Sequence, residues 1–330
     1  MKAAFIHEPG PPSSIIVGDQ PIPTPLPGEL LIKVDAVSVN PIDTYIRGGL
    51  IPFDGPRPYY VGSDFAGTVE ACGSSVSGFS PGDRVWGSNQ GLLGRQGTAA
   101  EFIAVDPAWV YKTPDAVASS DAAAIALVGL TSAIGLIHRA KAQPDETLFI
   151  NGGSGGVGSS VIQMGKALGL RVIASAGSDE KCQLCRDLGA DLAINYRSSN
   201  PIETLKECAP SGVNIWWETT RNPNLSGIIE SMAEFGRLVL MAGREAKPTF
   251  PVGPFYVKNL TLHGFVMFKA SSALQSQCAT QINHWLENGQ LRANIAKTLA
   301  LEAMPEAHQL QEDNTLHSRN NLAGKIVVTV

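Results

Sequence analysis

The run Thr147-Leu-Phe-Ile-Asn-Gly-Gly-Ser-Gly-Gly-Val-Gly158 constrains the fold of this chain more than any other stretch, because it reads as a short apolar strand, a glycine turn and the start of a helix. Gly153, Gly155 and Gly158 satisfy G-x-G-x-x-G. In that pattern one glycine permits a tight turn, the next lets the backbone approach a pyrophosphate, and the last packs helix against strand. Gly152-Gly-Ser154-Gly-Gly156 also fits G-x-S-x-G, the nucleophile elbow of serine hydrolases, with His263, His284, His308 or His317 as a possible base. Both patterns demand strand, turn and helix, so other residues must separate them.

The chain has 330 residues, long enough for about two domains. Residues 1–121 carry strand and turn signals, such as the alternation in Leu30-Leu-Ile-Lys-Val-Asp-Ala-Val37, the run Phe65–Glu70 and the turn Pro81-Gly-Asp-Arg84. Seven prolines between Pro9 and Pro27 run directly into a strand and suggest an ordered extended edge. From about 122 to 263 helical and strand patterns alternate, with short apolar strands expected at Thr147–Ile150, Arg171–Ala176, Leu192–Asn195, Val213–Trp217 and Arg237–Met241. That order implies a parallel α/β sheet. Residues 264–330 return to the first texture, with a helix near Ala273–Glu287 and a last strand, Lys325–Val330, so the second domain is inserted within the first.

A net charge of −5 with scattered Lys and Arg leaves no footprint for nucleic acid. The apolar stretch Ala122–Ile137 is shorter than a membrane span and is read as a buried helix. The N-terminus lacks a secretory pattern, which makes the cytoplasm the expected location and gives no membrane role. Five cysteines do not form a disulfide framework, and Cys182-x-x-Cys185 stands without a second pair or nearby histidine, as on one face of a helix.

The strand that follows the glycine helix ends Ala174-Ser-Ala-Gly177, without the acidic residue that binds the ribose hydroxyls of NAD. Asp179 and Glu180 come later, where Ser178 is placed to cap a helix whose first turn suits acids. Lys181 and Tyr196 are available to a 2′-phosphate. The expected cofactor is therefore NADP(H).

Val39-Asn-Pro-Ile-Asp-Thr-Tyr-Ile-Arg-Gly48, Val61-Gly-Ser-Asp-Phe-Ala-Gly67, Gly82-Asp-Arg-Val85, Gly152–Gly158 and Ala323-Gly-Lys325 together resemble the medium-chain dehydrogenase/reductase superfamily, and within it the zinc-free quinone oxidoreductase branch of zeta-crystallin. The resemblance runs the length of the chain. It implies a GroES-like β-rich catalytic domain interrupted by a Rossmann doubly wound parallel-sheet domain. It also places Asn40, Ser63 and Val128 where zinc relatives carry catalytic ligands, a set that holds no zinc, and Trp86–Phe102 lacks the cysteines of a structural zinc lobe. No metal is expected.

By the same resemblance Tyr45 and Thr131 lie near a nicotinamide, and Ser154, Gly155, Gly156 and Val157 along the pyrophosphate. Gly177, Ser178, Lys181 and Tyr196 surround the 2′-phosphate. Asn222, the strand end Met241, Ala242, Gly243 and Arg244, and the stretch Phe265, Val266 and Met267 line ribose and carboxamide. Asn40 is the candidate to hold an acceptor oxygen, and Tyr45 to orient the acceptor or give it a proton. Leu50-Ile-Pro52 stands where relatives commonly place an aromatic residue, with Tyr59 and Tyr60 as possible substitutes or as packing. The implied reaction is NADPH-dependent reduction of quinones or α,β-unsaturated carbonyls by a homodimer or homotetramer. A 2-enoyl-thioester reductase, a serine hydrolase using Ser154 and a non-catalytic NADPH-binding protein are the alternatives.

Overall fold

The computed structural model describes every residue except Ser318 and Asn320. Two compact units divide the chain, one of Met1–Leu130 with Ser271–Val330, the other of Thr131–Ala270. The cuts lie several residues beyond the composition changes at 121 and 264, since one long helix, Ser119–Ala133, runs through the first of them.

The first unit begins with β1 (Lys2–Ile6), β2 (Ile16–Asp19), β3 (Leu30–Val39), α1 (Pro41–Arg47), β4 (Tyr59–Tyr60), β5 (Phe65–Cys72), β6 (Arg84–Gly87), β7 (Phe102–Val105), β8 (Val110–Lys112) and α2 (Ser119–Ala133). β3 turns Lys33 and Asp35 to solvent and buries their neighbours, as its alternation requires. The proline-rich stretch expected as an extended edge is not a strand: residues 20–29 carry no ladder, because β2 stops at Asp19 and prolines offer no N–H to pair.

The second unit holds β9 (Thr147–Asn151), α3 (Gly156–Ala167), β10 (Arg171–Ala176), α4 (Asp179–Asp187), β11 (Leu192–Asn195), α5 (Pro201–Cys208), β12 (Val213–Glu218), α6 (Leu225–Ser231), β13 (Met232–Leu240), α7 (Val252–Val257) and β14 (Thr261–Gly264). Its six strands are all parallel, in the order β11-β10-β9-β12-β13-β14. That is the doubly wound Rossmann order, whose direction reverses between β9 and β12. Phe149 and Trp216 stack at 4.3 Å within the core of Ile173, Trp216, Ile228 and Leu238.

β13 starts five residues before the expected Arg237, and residues 233–236 bulge out of its pairing with β12, carrying Phe235 at φ 59°. β14 was not expected at all. Thr-Leu-His-Gly is short, half polar and lies at the sheet edge, so its sequence has no buried-strand pattern.

The chain then re-enters the first unit through α8 (Ser272–Glu287), β15 (Ile295–Ala300), α9 (Met304–Thr315) and β16 (Lys325–Thr329). β16 pairs antiparallel with β3, completing a mainly antiparallel sheet ordered β15-β16-β3-β5-β6-β8, with β7 also on β3. This sheet surrounds an apolar core that includes Ile32, Val37, Phe65, Val85 and Ile326. One helical stretch, Ser119–Arg139, is long and apolar enough to cross a membrane by composition, and it is mostly buried inside the protein. Its burial is that of a core helix.

Candidate functional site

In the second unit the expected cofactor residues gather at one end of one sheet. Gly153–Gly158 follow β9, Gly177–Lys181 follow β10, Tyr196 follows β11, Asn222 follows β12, Met241–Arg244 follow β13 and Phe265–Met267 follow β14. All six strands deliver to their carboxyl ends, where an open parallel sheet binds ligands. Thr131 follows no strand of this sheet and lies buried on α2.

The glycines divide their labour differently from the expected pattern. The left-handed residue of the turn is Gly152, with φ +90°, while Gly153 is required by packing: a Cβ there would meet Ala174 at 2.8 Å and the Cys185 thiol at 3.0 Å. A Cβ on Gly158 would overlap the Gly152 carbonyl. At Gly155 the space is open: among the described residues a Cβ there would come nearest to Gly152 O, at 3.6 Å. Gly155 caps α3 with no side-chain hydrogen bond, so the first N–H groups of a twelve-residue helix face that opening. This cradle fits a pyrophosphate. Ser154 is not among the residues with positive φ, unlike the serine of a strained nucleophile elbow, and His263 lies on β14, three strands away from β9.

A polar knot behind the turn escaped the sequence reading. Ser175 Oγ donates to Asn151 Oδ1 at 2.6 Å, and Asn151 Nδ2 donates to both oxygens of buried Glu218 at 3.1 Å. Gly153 N donates to Ser175 O at 2.8 Å, so the ends of β9, β10 and β12 are tied together beneath the glycines. The signal was a polar residue at or next to the end of each mainly apolar strand. Trp217 Nε1 donates to Met241 Sδ at 3.0 Å and holds that thioether at the end of β13.

At the next strand ends, a Cβ on Gly177 would strike the Tyr196 hydroxyl, and Tyr196 N donates to Ala176 O at 3.0 Å. Ser178 caps α4 by accepting from Lys181 N at 3.3 Å. Burial, and then the nearby Arg197 charge, lower the Lys181 pKa. Arg197 is thus a second cation at this corner, one that sequence reasoning missed although it directly follows Tyr196. Asp179 accepts from Asn195 Nδ2 at 2.8 Å, a bond to the last residue of β11 that occupies one of its oxygens. Cys182 and Cys185 lie buried on α4, and burial raises the Cys185 pKa to about 12, so its thiolate is suppressed.

The first unit concentrates charge instead of backbone. Because β3 is antiparallel to both β5 and β16, and β5 to β6, the end of β3, the start of β5, the end of β6 and the start of β16 converge, and they bring Asn40, Asp64, Ser88 and Lys325 together. Asp64 accepts from Ser38 at 2.7 Å, Ser88 at 2.6 Å and Asn40 Nδ2 at 2.8 Å. Asp43 accepts from the Asn40 backbone N at 2.7 Å and from the Ser63 hydroxyl. Lys325 Nζ donates to Val39 O at 2.9 Å and to Asn40 Oδ1, and stands 4.0 Å from Asp64. Burial raises the Asp43 pKa to about 7, and burial also raises that of Asp64.

The Asn40 side chain is fully buried, and its second donor contact is to Ser38 O at 3.3 Å. Both amide hydrogens expected to hold an acceptor oxygen are therefore engaged within the protein. Tyr45 is half-buried on α1. Tyr59 is buried, stacks on Phe53 at 4.1 Å and donates to Gly91 O at 3.2 Å, which makes it a packing residue.

Two family descriptions match the chain: "Alcohol dehydrogenase GroES-like domain" over residues 26–115 and "Zinc-binding dehydrogenase" over residues 156–283. The human quinone oxidoreductase is 31% identical, over 99% of this chain and 97% of its own length. The chain belongs to the medium-chain dehydrogenase/reductase superfamily, in its quinone oxidoreductase branch. Among solved members of the superfamily, a protein from Novosphingobium aromaticivorans superposes with a TM-score of 0.88 at 30% identity, each chain fully covered. A mycobacterial protein solved in complex with NADPH does so at 0.85 and 28% identity, again over both whole chains.

A zinc ion, which one family description carries in its name, does not fit the residues present. Asn40, Ser63 and Val128 supply an amide, a hydroxyl and an alkyl group, and the Lys325 ammonium already holds the Asn40 oxygen. Among the described residues no three His, Cys, Asp or Glu side chains form a group able to hold a metal.

Proposed function

We propose that this protein is a cytoplasmic, metal-independent reductase that uses NADPH to reduce quinones or α,β-unsaturated carbonyl compounds, assembled as a homodimer or homotetramer. The observation that carries the reading is the uncharged end of β10 with Lys181 beside Arg197 after it, in a chain aligned end to end with quinone oxidoreductases. A strand-end carboxylate would repel a 2′-phosphate; two cations attract it.

When bound, the reduced nicotinamide supplies hydride. The chain's own part is to bind and orient. The Ser154–Val157 backbone at the start of α3 holds the pyrophosphate, and Gly177, Ser178, Lys181 and Tyr196 hold the 2′-phosphate. Asn222, Met241–Arg244 and Phe265–Met267 line the ribose and carboxamide, with Met241 steadied by Trp217. Thr131 is assigned to the nicotinamide, and Tyr45 to orienting the acceptor. Asn40 anchors the start of α1 instead of touching the acceptor, since its amide is already engaged. Without a Lewis acid to stabilise an alkoxide, electron-poor acceptors are favoured, and water protonates the reduced product.

The test is to mix purified protein with NADPH or NADH and a panel of quinones and enones, following absorbance of the reduced nicotinamide. NADPH oxidation with at least one acceptor, faster than with NADH, is the expected result. No turnover across the panel defeats the reductase reading, and equal use of NADH defeats the phosphate reading.

A further inference from the structure

We propose that Lys325 is a positioning residue for hydride transfer: by holding the Asn40 side chain it fixes the start of α1 and hence the placement of Tyr45, an inference that rests on the reductase reading above. α1 has seven residues, fewer than an isolated helix needs to persist, so its direction depends on what grips its ends. At its C-terminal end Arg47 is buried, ion-paired with Glu312 of α9 and hydrogen-bonded to Gly10 O. At its N-terminal end the grip is Asn40. Asn40 and Asp43 form a reciprocal capping box, and the orientation of the Asn40 amide is set by Lys325 on its oxygen and by Asp64 and Ser38 O on its nitrogen.

Stability alone does not account for this arrangement. An ammonium and two carboxylates are buried together, where well-packed apolar groups of similar volume often do as well or better. What the charges provide is direction. Lys325 can only donate and Asp64, when ionised, can only accept, so the amide between them has one orientation, and the helix start follows it. Tyr45 lies on the same short helix, within two turns of that anchor. Since small misplacement of an orienting group slows a reaction by roughly 100-fold, a fixed α1 has kinetic consequences.

The experiment compares wild type, Lys325→Met and the double variant Asp64→Asn with Lys325→Met, which removes both charges and so avoids stranding either one. Each is checked for fold by circular dichroism, for NADPH affinity by fluorescence titration, and for kcat and KM with the best quinone or enone. Expected are NADPH affinity within about 2-fold of wild type and kcat lowered roughly 10- to 100-fold, with little change in KM. Expected too is a Tyr45→Phe effect on kcat that shrinks in the Lys325→Met background, as residues acting through one another require. A purely structural lysine would leave the kcat of folded protein untouched and the Tyr45→Phe effect fully multiplicative; either result overturns the proposal. If Lys325→Met does not fold, the double variant decides it by the same criteria. A wild type that oxidises no NADPH instead removes the reductase reading itself, whereas an active wild type with unaffected variants removes only the role of Lys325.

Discussion

The two units treat polar groups in opposite ways. In the second, the candidate nucleotide residues stand at strand ends, with open space at Gly155 and cations near the surface at Lys181 and Arg197. In the first, Asp43, Asp64 and Lys325 are sealed among Ser38, Asn40, Ser63 and Ser88. Charge near water is available to a ligand and costs the fold little, while sealed charge is spent on geometry and makes the fold sensitive to protonation. A large part of that sensitivity comes from α9. His308 is fully buried, neither ring nitrogen has a hydrogen-bond partner among the described residues, and burial followed by the Arg47 charge lowers its pKa to about 3.

If the first unit is as sealed as this contrast requires, the largest effect is on its stability in acid. Between about pH 3 and the ordinary histidine value of 6.5, the unfolded chain binds a proton at His308 that the folded chain does not, so this residue costs stability as pH falls. Asp43 works in the other sense. Its folded pKa of about 7 lies above 3.8, so the folded chain binds the extra proton in between, and its contribution declines as pH rises. The two slopes oppose each other in wild type. In His308→Leu the histidine slope is gone, and the variant's stability relative to wild type, from urea unfolding, should improve by about 1.4 kcal/mol for each pH unit below 6.5. A difference independent of pH would mean that His308 exchanges protons with solvent, and the contrast between the units would fail.

The same contrast explains what the sequence disclosed. The second unit was legible because its site is local: glycines beside one strand, a neutral strand end, a capping serine and a lysine three residues later. The knot of Asn151, Ser175 and Glu218 was less visible, since each is a polar residue at or next to the end of a mainly apolar strand and only the sheet order makes them neighbours. In the first unit Asn40 was identified, but its engagement was not, because Asp64 and Lys325 reach it from strands far away in sequence. β14 and the bulged start of β13 lacked any periodic signal, their residues being exposed at an edge or looped out of the ladder.

For the open corner of the second unit the expected change is in binding. Lys181→Ala removes a cation from the proposed phosphate site and should weaken NADPH binding by about 10-fold while leaving NADH nearly unchanged, as read from titrations of nicotinamide fluorescence. Equal losses for the two dinucleotides would place Lys181 away from the 2′-phosphate. Arg197 remains beside it in that variant, so the loss should grow on removing both.

Asp179 provides the smallest effect and the sharpest discrimination, because it is the acid nearest to where a ribose-binding carboxylate would stand. Its carboxylate accepts from Asn195, and its place in the first turn of α4 gives it a helix-end role worth at most about 1 kcal/mol. Asp179→Ala should therefore keep NADPH affinity within about 2-fold of wild type and lower the melting temperature slightly. A loss of 10-fold or more with NADH and NADPH alike would mean that Asp179 leaves Asn195 to bind ribose. The β10 end would then be acidic in function, and the case for a phosphate-selecting corner would rest on Lys181 and Arg197 alone.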